Sequence, residues 1–93
     1  VIRLTDADIA EHKKLAKDLR LHAKAMDEMA RADRERHDSL SERMWKAEAR
    51  EHRRRAREHD ELVKDEHFWR RMDRVDAKRR YRAAVAVLEE TPA

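Results

Sequence analysis

The chain has 93 residues, of which 24 are basic and 21 acidic, giving a formal charge of +3 with 48% charged side chains. Against 22 large apolar side chains it sets 15 alanines, too little strongly apolar surface for a broad globular core but well suited to long thin helices. With no glycine and one proline, it lacks the residues that β-turns and glycine-shaped catalytic loops need, which argues against a β-protein and against an enzyme built on such loops.

The expected fold is all-α, with long amphipathic helices forming a helical hairpin or an extended coiled coil that self-associates. Residues 1–93 form a single helical domain in this reading, with helices over about 5–36, 39–71 and 74–90 and breaks near 37 and 73.

The first helix starts at Leu4-Thr5-Asp6-Ala7-Asp8-Ile9. Thr5 caps the free amides, Asp6 and Asp8 sit at the positive end of the helix dipole, and Leu4 packs on Ile9 as a hydrophobic staple. A heptad pattern then runs through Ile9, Ala16, Ala23, Ala30, His37 and Met44, with His12, Leu19, Met26, Asp33, Leu40 and Ala47 at the second seam position. Asp33 and His37 weaken that seam. Ser39 and Glu42 stand at capping-box spacing just beyond them and mark a second helix start.

The competing reading is an unbroken helix, since the heptad register survives through the proposed turn. A helix from residue 6 to residue 90 would be about 127 Å long, however, far outside ordinary helix lengths.

Residues 46–61 have only alanines as apolar residues. Glu51/Arg55, Arg54/Glu58 and Asp60/Lys64 are four apart, so this stretch can remain helical with little tertiary burial. Apolar residues return at Leu62, Val63, Phe68, Trp69, Met72 and Val75, and Asp73 is a candidate cap for a last helix. Tyr81, Ala84, Val85 and Leu88 give that helix a one-sided stripe, ended by Thr91-Pro92-Ala93.

Six histidines are the unusual feature: His12, His22, His37, His52, His59 and His67. His12, His37, His52 and His59 project to one side of a helix, and Asp8, Asp18, Asp33 and Glu48 each precede a histidine by one turn. Imidazole with carboxylate at that spacing is metal-ligand chemistry, and His37, His52 and His59 are the candidate ligands. The sequence nevertheless has no His-x-x-x-His pair, no His-Glu-x-x-His and no duplicated Glu-x-x-His. No cofactor or metal is therefore expected, and the histidines read first as edge residues paired to acids, or as a pH-sensitive interface.

General acid/base work by Asp, Glu or His needs a partly dry pocket, which thin helices rarely enclose. No catalytic residue is assigned. Absence of cysteine excludes disulfides, thiol nucleophiles and Cys-based zinc sites. The longest apolar run, at residues 83–88, is far short of a membrane span, so a soluble, cytoplasmic chain without membrane partners is expected.

Arg50, Arg53, Arg54, Arg55 and Arg57 read as wrapping their helix rather than forming a stripe. The better basic surface is Arg70, Arg71, Arg74, Lys78, Arg79 and Arg80, joined by Arg82, Trp69 and Tyr81, and it supports an alternative function as a helical nucleic-acid-associated protein. The leading expectation is a non-enzymatic protein–protein interaction module, acting as scaffold, adaptor or inhibitor. Its interface candidates are Ile9, Leu19, Met26, Leu40, Met44, Trp45, Trp69 and Met72, because aromatic side chains and methionine are favoured at interfaces. A His/carboxylate metal-binding protein is the second alternative.

Overall fold

A computed structural model describes residues 2–90. It holds two helices, α1 (Asp6–Glu35) and α2 (Ser39–Glu90). The expected end at Thr91-Pro92-Ala93 lies outside the described residues. The chain divides into two units, Val1–Val63 and Lys64–Ala93, so α2 contributes residues 39–63 to the first and residues 64–90 to the second.

α1 begins as its sequence dictates. Thr5 is extended (φ −78°, ψ 169°), its Oγ1 accepts from the Asp8 amide at 3.1 Å, and Asp8 Oδ2 accepts from the Thr5 amide at 2.9 Å. This reciprocal capping box satisfies two amides that would otherwise lack helical partners. The Asp8 carboxyl is held below the usual carboxylate range, chiefly by the bond from the Thr5 amide.

α1 ends in a Schellman turn. The His37 amide donates to the Arg34 carbonyl at 3.1 Å, and the Asp38 amide donates to the Asp33 carbonyl at 2.9 Å. Between them His37 adopts φ 59°, in the left-handed region that favours glycine. Asp38 then caps α2, with Oδ1 accepting from the Ser41 amide at 3.1 Å. The anticipated Ser39/Glu42 box is thus displaced by one residue: Asp38 is the cap, and Glu42 instead pairs with Lys46 at 2.9 Å.

Within the first unit, the turn folds α1 and the first part of α2 into an antiparallel hairpin. Three cross-helix pairs run in reversed order and fix the register: Arg20 with Asp60, Asp27 with Arg53, and Asp33 with Ser41. The seam of α1 is the anticipated one, with Ile9, Ala16, Ala23 and Ala30 buried at successive heptad steps. In α2 the buried row is Ala49, Ala56 and Val63, flanked by half-buried Trp45, His52 and His59.

The register extrapolated straight through the turn is therefore wrong for α2. Leu40 (70% exposed) and Met44 (63%) lie outside the hairpin seam, Ala47 is exposed, and His37 leaves the seam for the turn. The Schellman loop resets the heptad count, so residues that would continue the α1 stripe in one long helix face another way. Alanines that looked like mere helix formers carry the packing instead: Ala23, Ala49 and Ala56 are 0% exposed. A buried methyl contributes only roughly 0.8 kcal/mol, but small side chains let the two backbones approach closely.

In the second unit, α2 continues through residue 73, so the anticipated break and the Asp73 cap do not occur. Mixed charge and good helix formers leave nothing there to stop the helix. Among residues 64–90 only Glu66 is buried, with Arg70 Nε 3.8 Å from its Oε2. Trp69, Arg70, Met72 and Val85 are half-buried and the others exposed.

Candidate functional site

Three features of the hairpin unit and one of the second unit hold the residues singled out in the sequence. Along the hairpin flanks, half-buried His12, His52 and His59 and exposed His22 bring histidines of the two helices together. His12 and His59 approach with their Nδ1 atoms 2.8 Å apart and ring centroids 5.0 Å apart. His22 and His52 meet edge to face at 6.2 Å between centroids, and the Nδ1 of His52 bonds the Glu48 carbonyl oxygen at 2.9 Å. Helical spacing places each histidine on its stripe, but only the antiparallel register pairs them.

The metal candidates are not assembled as a set. His37 is exposed in the turn, His52 is tied to its own helix backbone, and His59 faces His12. Among the described residues no group of three or more His, Asp or Glu side chains converges as a metal site. The one-turn acid pairing is also replaced in places: Asp33 binds Ser41 Oγ rather than His37 and lies 3.9 Å from Arg36.

Electrostatics stitch the hairpin flanks. Asp27 receives both terminal nitrogens of Arg53, and this bond holds its carboxyl below the usual range while raising the Arg53 guanidinium. Arg54 spans Glu51 and Glu58 along α2, which lowers Glu51 and raises Arg54. Glu51 thus pairs with Arg54 rather than with Arg55, and Asp60 reaches across to Arg20.

The basic run is more one-sided than its spelling suggests. Arg50, Arg53, Arg54 and Arg57 line one open hollow of about 500 Å³ with Ala47 and Glu51, because steps of three and four residues return to the same face. The expectation of a wrapped distribution missed this.

Large apolar side chains lie outside the hairpin seam. Ile9 is buried in the seam, and Leu19 and Met26 are half-buried beside it, so these three interface candidates are used within the hairpin. Leu40 and Met44 stay exposed, and a hollow of about 250 Å³ next to them is lined by Ser41, Met44, Trp45 and Glu48. Leu21 and Met29 are exposed on α1 as well.

In the second unit, Phe68 and Trp69 pack edge to face at 5.2 Å, with Met72 half-buried on the same helix. Val75, Tyr81, Val87 and Leu88 are exposed, as are Arg71, Arg74, Lys78, Arg79 and Arg80, while Arg70 is half-buried near Glu66.

These features define an alanine-seamed, two-helix hairpin whose α2 carries further exposed apolar and basic side chains. Comparison with family models, curated proteins and solved structures gives no match. No described helix is long and apolar enough to cross a membrane.

Proposed function

We propose that the chain is a non-enzymatic protein–protein interaction module, serving as scaffold, adaptor or inhibitor and also associating with itself. One observation carries this reading: the hairpin seals its seam with alanines and leaves Leu40 and Met44 exposed beside half-buried Trp45. Grouped large apolar side chains at a surface favour association, since covering them removes apolar area from water.

The association surface differs from the one the heptad pattern suggests. Ile9, Leu19 and Met26 are occupied within the hairpin, which leaves Leu40, Met44 and Trp45 in the first unit and Trp69 and Met72 in the second. Sedimentation velocity at micromolar concentrations tests the proposal. A concentration-dependent dimer or larger species is expected for the parent chain, with weaker association for Leu40→Gln/Met44→Gln. A parent that stays monomeric across the concentration range overturns the self-association.

A second reading draws on the exposed cations of residues 64–90. Between residues 70 and 82 there are seven basic and two acidic side chains, a charge balance that favours phosphate contacts. Fluorescence anisotropy on a 20-base-pair duplex at about 0.15 M salt separates the readings. Weak, salt-sensitive binding without base preference is expected. Submicromolar, sequence-selective binding that disappears on replacing Arg70, Arg71 and Arg74 by Gln would make nucleic acid the leading partner.

A further inference from the structure

His12 on α1 and His59 on α2 are half-buried, and their Nδ1 atoms meet 2.8 Å apart with ring centroids 5.0 Å apart. Only a hydrogen atom fits in that gap, so one ring donates its Nδ1–H to the Nδ1 lone pair of the other. The neutral pair then carries two ring protons, one in the bond and one on Nε2 of the acceptor ring. A third proton enters at Nε2 of the donor ring and makes the bond charge-assisted. A fourth has only the acceptor Nδ1 left, where it meets the donor N–H head-on and sets two imidazolium charges face to face. In the open chain the rings are apart, and each takes its proton independently.

We propose that His12 and His59 form a proton-operated latch, which closes the end of the hairpin far from the turn near neutral pH and releases it in mildly acidic solution. The direction follows from the proton count. The open pair binds four ring protons and the latched pair three, so the open form gains as pH falls through the range in which imidazole titrates, between about pH 5 and 8. The location follows from the order of the cross-helix contacts. Asp33 with Ser41 holds the turn end, Asp27 with Arg53 the middle, and Arg20 with Asp60 comes next. His12 lies beyond all three along α1. Acidification therefore loosens the far end first, while those three contacts, which involve no imidazole, keep the rest of the hairpin closed.

The neighbours leave the fourth proton uncompensated. Residues three and four positions away share a face with each histidine; these are Asp8, Ile9, Leu15 and Ala16 on α1, and Arg55, Ala56, Leu62 and Val63 on α2. Ile9, Ala16, Ala56 and Val63 are buried. The two charged neighbours, Asp8 and Arg55, oppose each other in sign, and the Asp8 carboxylate is already engaged by the Thr5 amide. Asp60, next to His59, is taken by Arg20. His22 and His52 provide an internal contrast. Their rings meet edge to face at 6.2 Å, and Nδ1 of His52 donates to the Glu48 carbonyl at 2.9 Å, so charging both rings brings no two N–H groups together.

The test is nuclear magnetic resonance and thermal unfolding of the whole chain at about pH 7.5 and about pH 5.5, an interval in which ordinary carboxylates stay ionised. At the lower pH the methyl resonances of buried Ile9 and Val63 should move toward their unfolded positions, while those of buried Ala30 and Ala49, on the turn side, stay in place. The unfolding midpoint should fall by about 4–8 °C between the two conditions. His12→Gln and His59→Gln, which lack the latch at either pH, should each remove most of that fall, and His22→Gln should keep it. Should either latch variant fail to fold, an imidazole ¹⁵N titration of the parent decides: the pair should take up its protons in two separated steps, the second accompanied by the Ile9 methyl shift. Two rings that titrate as independent groups overturn the latch. So do methyl shifts that are absent or equal at both ends of the hairpin, or a fall in midpoint that both latch variants retain.

Discussion

Residues 1–63 and residues 64–90 are built from nearly the same alphabet, yet they dispose of it differently. In the hairpin, Ala16, Ala23, Ala30, Ala49 and Ala56 are buried, and opposite charges meet across the seam as Arg20/Asp60 and Asp27/Arg53. In residues 64–90, Ala77, Ala83, Ala84 and Ala86 are exposed, and so are Val75, Tyr81, Val87 and Leu88. The same alanine is a packing residue in one region and a helix former in the other. What separates the two roles is whether a second helix stands opposite, since a methyl group contributes to stability only when another surface removes it from water.

Enlarging one alanine in each region separates the two roles most strongly. Ala23→Leu forces extra methylenes into a seam position that is 0% exposed and is expected to cost about 1–3 kcal/mol. Ala84→Leu, at an exposed position of similar helix propensity, is expected to change stability by less than about 0.5 kcal/mol. Urea unfolding followed by circular dichroism reads both. Equal costs at the two sites would mean that residues 64–90 bury their alanines too.

Backbone demands differ in the same way. His37 holds φ 59° in the turn, so His37→Gly should stabilise the hairpin by about 0.5–1 kcal/mol, the relief of left-handed strain less the entropy glycine loses. At His67, inside a regular stretch of α2, the same replacement should destabilise the helix by about 0.5 kcal/mol. Thermal melts of the two variants should shift in opposite directions, and shifts of the same sign would contradict the turn geometry.

The smallest expected effect is electrostatic. Because the bond from Arg53 lowers the Asp27 pKa in the folded chain, the pair adds stability above the ordinary carboxylate value, and that stability disappears as pH falls through the lowered one. Both side chains are 42% exposed, enough for solvent to screen the pair, so the contribution is about 0.2–1 kcal/mol. Asp27→Asn should lower the urea midpoint at pH 7 and match the parent near pH 2, while Asp76→Asn in residues 64–90 should differ less at pH 7. An unchanged midpoint for Asp27→Asn at pH 7 would show the cross-helix pair to be energetically silent.

Much of the helical content could be read directly from residue order. Thr5 and Asp8 spell the first cap, the step from Ile9 to Ala30 marks the seam of α1, and the polar stretch before Asp38 marks the turn. The second seam was also present as Ala49, Ala56 and Val63 at heptad spacing, but alanine occurs as readily on a wet helix face and carries too weak a hydrophobic signal to declare itself. The arginine face of residues 50–57 was equally available as steps of three and four. Nothing comparable foretells His12 opposite His59, because that meeting depends on two separate stripes and the register between them.

Helicity, the start of α1 and the inward side of α1 all follow from residue order, since capping bonds and helical periodicity act over a few residues. Which face of α2 lies in the hairpin, the position of Leu40 and Met44 outside it and the pairing of the histidines depend on how the two helices meet. The Schellman loop at Arg36–Asp38 sets that meeting: its left-handed residue rotates the second helix relative to the first, and a rotation of that kind changes every cross-helix partner while leaving each local propensity intact.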